Sequence, residues 1–186
     1  MEKRMELGNQ QERREADLHW LGGLFDGEGC ISILRRGDNL GGLFNVQCRI
    51  VQASQSATDE IGRILKANDV AFFVYSIAPR GLSKRTTLQT IVSGFKRSKR
   101  FIEVLMPYIR LKKDDAHIAL AFIESRLERK AAPYNETEIE LYLKLRDLHG
   151  YKLRESSETI RRTLMGRYSP NSDRKTESEA EMTSPA

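Results

Sequence analysis

The stretch Leu21-Gly22-Gly23-Leu24-Phe25-Asp26-Gly27-Glu28-Gly29 decides how the rest of the chain is read. The apolar spacing predicts a short helix from Asp17 to Asp26, broken by the Gly27, Glu28, Gly29 triplet. Adjacent glycines inside a helix each cost about 1 kcal/mol relative to alanine, so Gly22 and Gly23 require a compensating gain. Removing two Cβ atoms supplies one, because another helix can then approach closely. Asp26 and Glu28 follow at the helix end. A carboxylate and a backbone carbonyl in such a place make a half-site for a hard divalent cation, which takes oxygen ligands and keeps several waters.

Outward from this segment the pattern changes to period two. Ile31 and Ile33 alternate with Ser32 and Leu34, RRGDNLGG supplies turn residues, and Val46, Cys48 and Ile50 alternate with Asn45, Gln47 and Arg49. This predicts a hairpin with one wet face. Ile61, Ile64 and Leu65 have helical spacing between about Thr58 and Asn68, and a second hairpin follows in which AFFVYSIA and RTTLQTIVS flank the turn PRGLSK. Three further helices are predicted near 95–106, 113–130 and 136–149, with Pro107 and Pro133 marking the breaks. Two hairpins with helices between them make an α+β fold: one four-stranded antiparallel sheet, helices on one face and a polar face left open. Ser32, Arg36, Asn45, Gln47, Arg49, Arg85, Thr87 and Gln89 are predicted on that open face. Such a row suits a DNA groove, since Arg matches guanine and Asn or Gln matches adenine.

The chain has 186 residues with 39% hydrophobic content, enough for one domain with its own core. That domain is assigned to 15–168, with 1–14 as a flexible polar leader and 169–186 as a disordered tail poor in anything to bury. The net charge is +5. Nine bases (Lys84, Arg85, Lys96, Arg97, Lys99, Arg100, Arg110, Lys112, Lys113) stand against one acid, Glu103, within 83–113, which gives an anionic polymer a side to bind. A solvated helix face would look the same. Cys30 and Cys48 are the only cysteines and form no CxxC pair, and the three histidines are scattered, so a disulfide framework and a zinc site are not expected. No apolar run reaches membrane-spanning length, and the charged start lacks the apolar stretch of a signal peptide; an intracellular protein with no membrane partner is expected.

At every position, within family tolerances, the 21–29 segment resembles the LAGLIDADG signature of the homing endonucleases. The resemblance implies that Leu21, Gly22, Gly23 and Phe25 pack two motif helices together at a subunit interface. It also implies that Glu28 is the metal-binding acid with Gly27 donating its carbonyl, whereas Asp26 caps or braces the helix ends. Leu105-Met106-Pro107-Tyr108-Ile109-Arg110-Leu111-Lys112-Lys113 resembles the family segment that leads to an active-site lysine, placed at Lys112 with Lys113 as the alternative. A glutamine that positions solvent in such enzymes corresponds to Gln52 or Gln55, depending on strand register. Ser157-Glu158-Thr159-Ile160-Arg161 resembles the C-terminal segment of the single-motif enzymes encoded in ribosomal-RNA introns, which touches the DNA backbone.

One motif per chain implies a homodimer. The resemblance thus implies a Mg2+-dependent (or Mn2+-dependent) endonuclease that hydrolyses both strands of a long pseudo-palindromic double-stranded DNA target. The expected target is an intron insertion site in an rRNA gene, and the expected setting is the archaeal cytoplasm, a chloroplast or a mitochondrion. Some LAGLIDADG proteins instead assist splicing, so an intron RNA-binding maturase is the alternative and intron RNA a further partner.

Overall fold

The structure, a computed structural model, describes residues 2–35, 43–79, 84–130, 132–150 and 157–166. Within them the order is α1 (Glu2–Glu28), β1 (Gly29–Arg35), β2 (Phe44–Gln52), α2 (Gln55–Ala67), β3 (Phe73–Ile77), β4 (Thr87–Ser93), α3 (Phe95–Leu105), α4 (Lys113–Arg129), α5 (Glu136–Leu148) and α6 (Ser157–Gly166). The expected alternation of helices and hairpins is present, and the fold is α+β. One expectation changes, and one helix is added. Residues 2–14, assigned to a loose leader, continue α1, and 157–166 form a helix of their own. The tail at 169–186 lies outside the described residues.

The four strands form one antiparallel sheet in the order β1-β2-β4-β3. The period-two pattern sends Ile31 and Ile33, then Phe44, Val46, Cys48 and Ile50, then Thr90 and Val92 to one buried face. Helices cover this face with Leu21 and Phe25 of α1, Ile61 and Leu65 of α2, Phe101 and Leu105 of α3, and Phe122 and Ile123 of α4. Each such side chain contributes about 1.5–3 kcal/mol by leaving water, and the loss of one large ring such as Phe122 would cost about 3–5 kcal/mol.

Local chemistry fixes how the helices meet the sheet. Asn135 caps α5 in a capping box: its side chain accepts from the Glu138 N–H at 2.8 Å, and its own N–H donates to Glu138 Oε2 at 3.0 Å. Glu138 is fully buried and also takes Arg126 Nη1 at 3.2 Å and Ser125 Oγ at 2.7 Å, joining α5 to α4. The Arg126 guanidinium lies 4.4 Å from the centre of the Tyr134 ring, whose hydroxyl accepts the Phe44 N–H at 2.8 Å. A polar chain therefore runs from the α4–α5 pair to the start of β2. Cys30 and Cys48 remain free thiols, and burial, abetted by Cys30 and opposed by a bond to Ser98, pushes the Cys48 thiol far above its ordinary range. It stays neutral, as a core residue rather than a ligand.

Candidate active site and nucleic-acid interface

The end of α1 and the segment before α4 meet through one carboxylate. Asp26 Oδ2 accepts the Arg110 N–H at 2.6 Å, and Oδ1 accepts the N–H groups of Leu111 and Lys112, each at 3.1 Å. In return Lys112 Nζ donates to the Asp26 carbonyl oxygen at 2.6 Å. The lysine cation thus sits on the negative end of the α1 dipole, where no base of α1 itself stands in the last turn. Asp26 braces two segments, as expected.

Glu28 behaves differently. It is exposed and has no hydrogen-bond or ion-pair partner among the described residues. A carboxylate at a helix C-terminus is disfavoured by about 0.3–1 kcal/mol until a cation joins it. Gly27 beside it is open, with nothing within 4 Å of where a Cβ would be. Gly29 is the reverse: a Cβ there would come 2.2 Å from the Phe25 ring, so only glycine lets the chain leave α1 for β1 along this path. No group of three or more His, Cys, Asp or Glu gathers among the described residues. The donor set fits half a site for a hard cation that keeps its waters, one carboxylate with helix-end carbonyls.

The two candidate glutamines separate. β1 begins opposite Ile50, so Gln52, two residues further along β2, lies at the sheet end where α1 terminates. Gln55 is in the first turn of α2 and donates to Asp59 at 2.8 Å.

Ser32, Asn45, Gln47, Arg49, Thr87 and Gln89 share the open face, because each alternates with a core residue and the register aligns them across strands. Asn45 donates to the Ser93 hydroxyl at 2.8 Å, a bond from β2 to β4 on that face. Arg85 is exposed just before β4, and Arg36 lies outside the described residues. The outer strand is the one expected from AFFVYSIA, but its side chains were not placed on the open face. Phe73, Tyr75 and Ile77 of β3 pair with Ile91, Gln89 and Thr87 and so belong to the same face. Their alternation was concealed by Val74 between them, which is apolar and yet 44% exposed.

The basic stretch is less free than its composition implied. Lys99 pairs with Glu124 at 2.9 Å and Glu103 at 3.7 Å, and Arg100 Nε donates to the Asn68 carbonyl at 3.3 Å, both away from the sheet's open face. Arg97 stands over the Phe73 ring, 5.7 Å from its centre, at the border of the open face.

The expected interface residues also need correction. Leu21 and Phe25 are 0% and 1% exposed and pack inside the chain, Phe25 edge-on to Phe101 at 5.0 Å. Gly22 faces its own chain as well, since a Cβ there would lie 2.7 Å from the Tyr108 carbonyl oxygen. Gly23 alone of the four looks outward, with nothing within 4 Å of its would-be Cβ. It lines up with exposed Ala16, Trp20 and Gly27 at helical spacing, a stripe of small residues around one indole.

No family model matches the chain, and no curated protein matches it. Solved structures do. The homing endonuclease I-CvuI in complex with the I-CreI target, with magnesium and the DNA not cleaved, aligns at 24% identity and TM-score 0.64 over 83% of this chain and 96% of that one. I-CvuI with its own target and calcium aligns at 25% identity and TM-score 0.62 over the same shares, 83% and 96%. The LAGLIDADG homing endonuclease I-GzeII in complex with a DNA target aligns at 15% identity and TM-score 0.51, over 77% of this chain and 47% of that one.

Proposed function

We propose that this chain, which has the LAGLIDADG homing-endonuclease fold, is a divalent-metal-dependent, site-specific DNA endonuclease that works as a homodimer. The observation that carries this reading is the division of labour between two neighbouring acids. Asp26 is consumed by three backbone N–H groups, whereas Glu28 is exposed and without a partner among the described residues, at the helix end whose Asp26 carbonyl holds Lys112. That solved relatives of this fold hold DNA targets with magnesium or calcium supports it.

Glu28 and the Gly27 carbonyl would hold Mg2+ or Mn2+. When bound, such an ion lowers the pKa of water and neutralises charge on a leaving oxygen. Lys112, held at the same helix end, stabilises negative charge on the phosphate under attack, and Gln52 orients solvent there. The open sheet face carries the DNA through Ser32, Asn45, Gln47, Arg49, Thr87 and Gln89. One chain offers one carboxylate, so cutting two strands calls for two chains. Their α1 helices would meet along Ala16, Trp20, Gly23 and Gly27, which places two such sites about a two-fold axis and favours a pseudo-palindromic target. The natural target we propose is the intron insertion site of an rRNA gene.

Incubating the protein with supercoiled plasmid carrying the joined exon sequence of its host gene, with and without magnesium, tests this. Linear product that needs both metal and site is expected. Tight binding of intron RNA without DNA cleavage would overturn the nuclease reading in favour of the maturase.

A further inference from the structure

The open face of the sheet changes chemistry from one corner to the other. Over most of β1 and β2 it presents Ser32, Asn45, Gln47 and Arg49, with Leu34 beside Asn45; toward β3 it becomes mainly apolar, with Val51, Ile91, Phe73, Tyr75 and Ile77 around Gln89 and Thr87. Phe73 is 46% exposed and Tyr75 55%. A hydrophobic patch of this kind on an otherwise wet sheet marks a contact surface. Its neighbours say which. Arg97 stands over Phe73 at 5.7 Å, Gln89 is the cross-strand partner of Tyr75, and Arg49 lies opposite Ile91. Cations and amides interleaved with apolar groups match a surface whose charged backbone alternates with apolar projections, and the thymine 5-methyl is such a projection in the DNA major groove.

We infer that Phe73 and Tyr75 are specificity-determining residues that read thymine 5-methyl groups in each half-site, an inference that rests on the endonuclease reading above. The register also says where. The row Val51–Gln89–Tyr75 lies one residue beyond the Gly29–Ile50 pair, level with the end of α1 that carries Glu28. The row of Leu34 and Asn45 lies at the other end of the sheet, about 20 Å away at the usual rise per residue. The methyl-dependent positions read by Phe73 and Tyr75 therefore fall on the side of each half-site nearer the cut, whereas farther out Leu34, 41% exposed, is the apolar residue beside Asn45.

The test begins with selection of the preferred duplex from randomised DNA by the full chain. Each thymine of that site is then replaced by deoxyuridine, which pairs identically and lacks only the methyl. Binding should weaken about fourfold per half-site, the worth of one buried methyl, at one or two centre-proximal positions. Phe73→Ser and Tyr75→Ser should each abolish discrimination at one position while leaving discrimination elsewhere and the salt dependence of binding intact. Indifference of the unaltered protein to deoxyuridine at every position overturns the inference alone, as does unchanged discrimination in both variants. Failure of the selection to enrich any sequence overturns the endonuclease reading with it.

Discussion

Asp26→Asn tests whether one carboxylate assembles the site. In the folded chain that group accepts N–H bonds from Arg110, Leu111 and Lys112 at 2.6, 3.1 and 3.1 Å. Hydrogen bonds to a charged group contribute about 1.5–3 kcal/mol each when sheltered, but Arg110 and Leu111 are exposed, which puts these bonds at the low end or below. The amide oxygen of Asn can still accept from Leu111 and Lys112, now without charge. The amide nitrogen must face the Arg110 N–H, donor against donor. One bond lost and two weakened amount to a destabilisation of about 2–3 kcal/mol. Urea denaturation would read it as a lower midpoint at unchanged slope. Cleavage should fall beyond what unfolding explains, because the loosened 110–112 segment carries Lys112. Combining Asp26→Asn with Lys112→Met should give a coupling above about 0.5 kcal/mol in a double-mutant cycle. A stability change within about 0.5 kcal/mol of zero, with strictly additive effects, would refute the bracing role.

Glu28→Gln keeps size and hydrogen-bonding ability but removes the charge, so cleavage should disappear while gel-shift binding persists; near-normal cleavage would sink the metal assignment. Gly22→Ala drives a methyl to 2.7 Å from the Tyr108 backbone, and overpacking of about 1–3 kcal/mol should exceed the helix-propensity gain of about 1 kcal/mol, seen as a lower melting temperature. Gly23→Leu, by contrast, meets open space within the chain and should leave the fold intact while light scattering reports monomers. Glu138→Gln removes the buried charge facing Arg126, which keeps the Ala132 and Lys130 carbonyls as acceptors, and should cost no more than about 3–5 kcal/mol, measured by chemical denaturation.

Much of the fold was legible because its signals are local. Alternation of Ile31, Ile33, Val46, Cys48 and Ile50 against polar neighbours gives both the strands and the face they bury. The first turns of α1 were illegible for the opposite reason: residues 10–16 are exposed all round and offer no stripe to detect. In the site, the 21–29 motif named Asp26 and Glu28 and the 105–113 segment named Lys112, but spacing could not say which face of α1 looks inward. Leu21, Phe25 and Gly22 went to their own chain because Phe101 and Tyr108, some 80 residues on, pack there. The hairpin of AFFVYSIA with RTTLQTIVS was legible, but which side chains of β3 reach the open face depends on its register with β4, which the apolar run Phe72-Phe73-Val74 does not fix.

Trp20 gives the chain an optical property of its own. It is the only tryptophan, it is 43% exposed, and it stands on the outer stripe of α1 beside Gly23. Intrinsic fluorescence excited at the indole band therefore comes from one known point on the surface. If that stripe is where two copies meet, dilution should shift the emission to the red and open the indole to an aqueous quencher such as iodide. The midpoint of that change would be the dissociation constant of the pair, obtained without a label. Emission that stays the same across the whole concentration range would move the meeting point of the subunits off α1.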